Sequence, residues 1–81
     1  MNTQFYERYF LMYLEASQEQ RDEAKRHWMM CHRQNIKADR QDLIIFSAKI
    51  LFMIDMAQEY IERHEAGEHV TAWEYMTAYN A

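Results

Sequence analysis

Proline is missing from this chain, and glycine occurs once, as Gly67, among 81 residues. These residues supply much of the turn geometry of small β-proteins, so their scarcity excludes a sandwich or barrel of short strands. Cysteine also occurs once, as Cys31. A single thiol closes no internal disulfide, which excludes a disulfide framework and fits a reducing, cytoplasmic setting or a redox-indifferent one. Long uncharged apolar runs are missing as well. The most apolar stretch, Leu43 to Ala57, contains Lys49 and Asp55, whereas a membrane span needs about 20 residues with few or no charges. The first residues, MNTQFYERYF, place Glu7 and Arg8 ahead of any apolar run and do not read as a secretory leader.

Hydrophobic residues make up 49% of the chain and charged residues 27%. That balance supports a core, so residues 1–81 are expected to form a single helical domain rather than a disordered tail. With turn residues so few, helix boundaries must come from caps. Thr3 opens a first helix to about Ala16, with Phe5, Tyr9, Met12 and Ala16 on one face and Tyr6, Phe10, Tyr13 and Leu14 widening it. Ser17 with Gln20 forms a capping box, and Glu19, Asp22 and Glu23 put negative charge in the first turn of a second helix that runs to about Gln34. Residues 35–39 form the connection, and Asp39 caps the third helix.

That third helix carries Leu43, Phe46, Ile50, Ile54, Ala57 and Ile61 at helical spacing, with Ile44, Leu51, Phe52 and Met56 on its other sides. A helix apolar almost all round is central or lies at an interface. Gly67 is suited to end it, and Thr71 with Glu74 forms a second capping box that opens a short last helix through Trp73, Met76 and Tyr79. The expected fold is all-α: a small three- or four-helix bundle with one long central helix. At about 27 residues that helix spans roughly 40 Å, more than its shorter neighbours can cover. A symmetric homodimer is the commonest remedy.

Six Tyr, four Phe, two Trp and seven Met in so short a chain exceed what one helix face can hide. These residue types are enriched in protein–protein interfaces. Tyr6, Tyr9, Tyr13 and Trp73 are the expected partner contacts, set against the simpler reading that small helical cores use the same rings. Charge is unevenly placed. Residues 21–40 hold six basic side chains against three acidic, whereas residues 41–81 hold two against seven. Arg26, Arg33, Lys37 and Arg40, with His27 and His32 nearby, form a candidate phosphate-contacting segment. Opposing this are the acidic whole, at net −4, and local pairing such as Asp22–Arg26.

Asp55, Glu59, Glu62, Glu65 and Glu68 form an acidic row able to compete for a basic groove, a pattern that fits an inhibitor encoded by a mobile element. His27 and Cys31 are four apart and supply two metal ligands, whereas zinc takes three or four from protein. His64 and His69 are five apart and fall on different sides of a helix. No phosphate loop, nucleophile elbow or paired-Asp motif occurs. The expectation is therefore a non-enzymatic, cytoplasmic, acidic binding protein without metal or cofactor. It would act as an adaptor, regulator or inhibitor that docks on another protein. The alternative is a nucleic-acid-associated regulator using the 21–40 helix.

Overall fold

The computed structural model describes residues 3–68 together with Thr71, Glu74 and Tyr75, the side chains of residues 3, 4 and 6 excepted. Three helices follow one another: α1 (Thr3–Glu15), α2 (Gln18–Lys37) and α3 (Gln41–Glu65). No strand occurs among the described residues.

Both bonds of the capping box at the start of α2 are present. The Gln20 amide donates to Ser17 Oγ at 3.1 Å, and the Ser17 amide donates to Gln20 Oε1 at 2.9 Å. Two of the four orphan donors of the helix start are satisfied in this way. The α2–α3 connection departs from expectation. α2 continues to Lys37, three residues beyond the predicted end, and Asp39 does not cap α3. Asp39 instead has φ of +54°, the left-handed position that closes a helix C-terminus. The Asp39 amide donates to Ile36 O and the Arg40 amide to Asn35 O, so both bonds of the Schellman motif form. Arg40 takes the N-cap place of α3 without a side-chain cap. At the far end of α3 the same motif recurs with Gly67 at φ +97°, its amide donating to His64 O and that of Glu68 to Arg63 O. The second capping box is also formed, with Glu74 N–H donating to Thr71 Oγ1 and Thr71 N–H to Glu74 Oε2. The described residues of the last segment show one helical turn there, Glu74 and Tyr75. Trp73, Met76 and Tyr79 lie outside the described residues.

α3 is central, and both α1 and α2 pack on it. Its 25 residues span about 38 Å. α2 and α3 form an antiparallel hairpin: Arg21 meets Gln58, Lys25 meets Asp55, His32 meets Ser47 and Asn35 meets Leu43. α1 lies over one face of this hairpin. Phe10 and Tyr13 from α1 join Ile50, Met53, Ile54, Met56 and Ala57 from α3, with Tyr75 closing the cluster. Phe10 stacks on Tyr75 at 6.1 Å between ring centroids and meets the edge of Tyr60 at 6.0 Å. In Cα extent the molecule is 43 × 29 × 16 Å.

The apolar stripe of α3 is therefore only partly buried. Ile50, Ile54 and Ala57 are enclosed, but Leu43 and Phe46, in the N-terminal half, are more than one third exposed. Two polar residues, Ser47 on α3 and Arg21 on α2, are enclosed as well. Ser47 is fully buried; its Oγ lies 2.9 Å from Leu43 O and 2.7 Å from His32 Nδ1. Its hydroxyl thus has partners on both sides, a carbonyl of its own helix and the His32 ring of α2. Arg21 is 6% exposed. Its guanidinium donates to Tyr13 O and Ala16 O at the end of α1, to Gln18 Oε1, and to Gln58 Oε1 on α3. One side chain thus satisfies carbonyls left open by the end of α1 and ties all three helices together.

Candidate docking surfaces

The aromatic residues of α1 point mainly inward, which corrects the expectation that they form an exposed surface. Phe10 and Tyr13 are core residues, while Phe5 and Tyr9 are half-buried against the core. Tyr13 is 6% exposed, so its ring lies out of reach as a projecting anchor. Tyr9 keeps a partly open edge, beside Phe5 at 4.6 Å between centroids. Tyr6 lies within α1, but its side chain is not among those described, and Trp73 falls outside the described residues. The apolar groups that α1 does leave exposed are Leu11 and Met12, which the aromatic emphasis of the sequence concealed.

Met12 borders a groove of about 600 Å³ between the end of α1 and the first half of α2. Tyr13, Ala16, Ala24 and Trp28 contribute apolar lining, and Glu15, Glu23, Gln20 and His27 polar lining. Small residues make the groove possible: Ala16 and Ala24 leave room that a longer side chain would fill. Burial pushes the Tyr13 phenol above its ordinary value near 10; a hydrogen bond with the Trp28 side chain opposes the rise and the nearby Tyr9 phenol adds to it. The neutral phenol therefore favours the fold. Its contribution is complete below the unfolded value near pH 10 and is lost as pH rises through the higher folded value. In an alkaline titration read by tyrosinate absorbance, one tyrosine should ionise late and in step with the loss of helicity. In Tyr13→Phe that late step should be absent; its persistence would place the shifted phenol elsewhere.

The four basic candidates are all exposed. Arg26 and Arg33 are seven residues apart and Lys37 is four further on, so they share the outer edge of α2; Arg40 follows in the connection. The anticipated Asp22–Arg26 pair is not formed, because Asp22 accepts from Gln18 Nε2 at 3.0 Å instead. Of the two histidines near them, His32 is engaged inward with Ser47 and His27 sits edge-on to Trp28 at 5.6 Å. The acidic row is partly neutralised: Asp55 pairs with Lys25 at 2.8 Å, and Arg63 meets Glu59 at 3.2 Å and Glu68 at 3.8 Å.

His27 Nε2 and Cys31 Sγ lie 3.6 Å apart, as their spacing predicts. No group of three or more His, Cys, Asp or Glu able to hold a metal ion occurs among the described residues. No described helix is long and apolar enough to cross a membrane.

A third surface lies on the side of the hairpin away from α1. Lys25, Met29 and Ile36 share a stripe on α2 at i, i+4 and i+11. Asp55, Leu51, Ala48 and Ile44 do the same on α3, and the Lys25–Asp55 ion pair places both stripes on one side. Phe52 and Ile45 stand next to this α3 stripe, 48% and 54% exposed.

The chain matches no known protein family, no curated protein and no solved structure.

Proposed function

We propose that this protein is a small non-enzymatic docking module, an adaptor, regulator or inhibitor, that binds another protein in the cytoplasm and works as a homodimer. The reading is carried by where the large apolar side chains stand. Nine of them, among the described residues, are exposed, and one of the nine, Met12, borders the α1–α2 groove. An apolar patch with a polar rim is the form that docking surfaces take. The α1–α2 groove is the partner site in this reading. Its lining fits an apolar side chain, and Glu15 and Glu23 favour Lys or Arg on either side of that anchor. The partner is thus a helical or extended segment with an apolar residue in a basic setting. An inhibitor from a mobile element is one role such a module fills.

The test is capture of binding proteins on the immobilised protein, with and without nuclease, beside a Met12→Glu variant. The expected result is a stoichiometric protein that survives nuclease and is at least tenfold depleted by Met12→Glu, with helicity unchanged by circular dichroism. Equal capture by wild type and variant would remove the groove from the interface.

A second reading is favoured by Arg26, Arg33 and Lys37 on one helix edge, which make no ion pair among the described residues. In that case capture is lost with nuclease or with Arg33→Glu and falls steeply with salt. Docking on apolar anchors responds weakly to salt.

A further inference from the structure

We propose that the α1–α2 groove continues along the outside of α1 and that its occupant is an amphipathic basic helix of a partner protein. One apolar residue of that helix lies beside Leu11, the next, one turn on, enters the groove, and basic residues meet Glu15 and Glu23. This rests on the docking groove proposed above and names the form and charge pattern of the segment it takes.

A second recess adjoins the groove. It has a volume of about 510 Å³, is lined by Glu7, Arg8, Leu11, Met12 and Glu15, and shares Met12 and Glu15 with the groove between α1 and α2. All five residues belong to α1, so helix periodicity sets its shape. Glu7, Leu11 and Glu15 follow one another at four-residue steps and form one ridge; Arg8 and Met12 form the next. A trough between two ridges of a helix is where a ridge of another helix packs. This trough runs from Glu7 to Glu15, about 12 Å along the axis, and its C-terminal end opens into the groove at Met12 and Glu15. Its middle is apolar, with Leu11 43% and Met12 46% exposed. From the level of Leu11 to the groove at Ala16 is little more than one helical turn, the rise between apolar residues spaced i, i+4 on an incoming helix.

Charge selects what accompanies those two anchors. Three carboxylates line the joined recesses, Glu7, Glu15 and Glu23, against one guanidinium, Arg8. None of these four side chains makes an ion pair among the described residues. Arg8 offsets Glu7 at the N-terminal end of the trough, so the acidic excess stands at Glu15 and Glu23, around the groove. Lys or Arg is therefore favoured at the groove end of the partner helix and not at the Arg8 end.

The probe is an alanine-based helical peptide with two leucines four residues apart and two lysines on the same face in the turns that follow. It is compared, by fluorescence anisotropy, with one form that carries alanine for the first leucine and another that carries glutamine for both lysines. Wild type should bind the two-leucine peptide roughly tenfold more tightly than the one-leucine form, and the glutamine form severalfold more weakly, in a salt-dependent way. Leu11→Ser should abolish the difference between the two leucine forms, with helicity retained by circular dichroism, whereas Met12→Glu should weaken both. Equal binding of the two leucine forms by wild type, with Met12→Glu still weakening both, would overturn the trough and leave the groove reading standing. Binding that ignores Met12→Glu, or no binding at millimolar peptide, would overturn both. Equal binding of the glutamine form would overturn the charge pattern. A dimer in sedimentation equilibrium that Leu11→Ser splits would give the trough to a second copy in place of such a helix.

Discussion

Phe10→Ala should cost about 4 kcal/mol of stability, the largest effect expected of any single side chain here. The ring is 1% exposed and lies between Tyr60 and Tyr75. Its removal takes away contact area on both sides and two aromatic pairings, each worth about 1 kcal/mol beyond burial. A chain of this length has only about 4–12 kcal/mol in total, so the variant should lie close to its unfolding transition in water. Urea unfolding followed by circular dichroism reads this directly as a midpoint shifted to low denaturant. A loss below about 1 kcal/mol would show that α1 is not held on α3 through this ring.

Arg21→Met should cost about 3 kcal/mol, and the reason is different. Methionine keeps much of the volume and removes the donors. Tyr13 O and Ala16 O then lose a charged partner in a partly buried place, and each carbonyl left unsatisfied costs about 1–3 kcal/mol. Arg21→Lys should recover little of this, since an ammonium cannot span the same fork of acceptors on three helices. Equal stability of the Lys variant and wild type would show that charge rather than geometry is what the site needs.

Much of the fold was legible where a local rule and the tertiary structure agree. Ser17 with Gln20 and Thr71 with Glu74 announced their capping boxes, and both form. Gly67 announced the end of α3. Asp39 misled because one residue type suits two places: its side chain is a good N-cap, and its backbone tolerates the left-handed position. The Schellman bonds of α2 took it for the second use. Arg21 and Ser47 were missed as core residues, although each occupies an inward stripe. Arg21 precedes Ala24 and Trp28 at i+3 and i+7, and Ser47 precedes Ile50 and Ile54 by the same steps. A polar residue in an apolar phase was the available signal. Its meaning depended on carbonyls and side chains brought from other helices, which periodicity along one helix does not contain.

The candidate surfaces were legible in composition and not in position. An excess of apolar and aromatic residues was visible, but which of them the core absorbs depends on how α1 lies across the hairpin. The core took the rings of Phe10 and Tyr13 and left the thioether of Met12 and the side chain of Leu11 outside. The exposed half of α3 has a similar origin. Periodicity marks which side of a helix is apolar, whereas the length of the neighbouring helices decides how much of that side is covered.

The antiparallel hairpin also orders the closure of the chain in time. Asn35 and Leu43 are joined by the shortest loop, His32 and Ser47 by a longer one, and Arg21 and Gln58 by the longest of the bridging pairs. The entropy lost on closing a loop rises with its length, so contacts beside the 38–40 turn form at least cost and each one shortens the next loop to be closed. Zipping from that turn brings Arg21 into place last within the hairpin. Its bonds to Tyr13 O and Ala16 O, by contrast, close loops as short as the one at the turn, so α1 joins α2 through local contacts that need no prior alignment with α3.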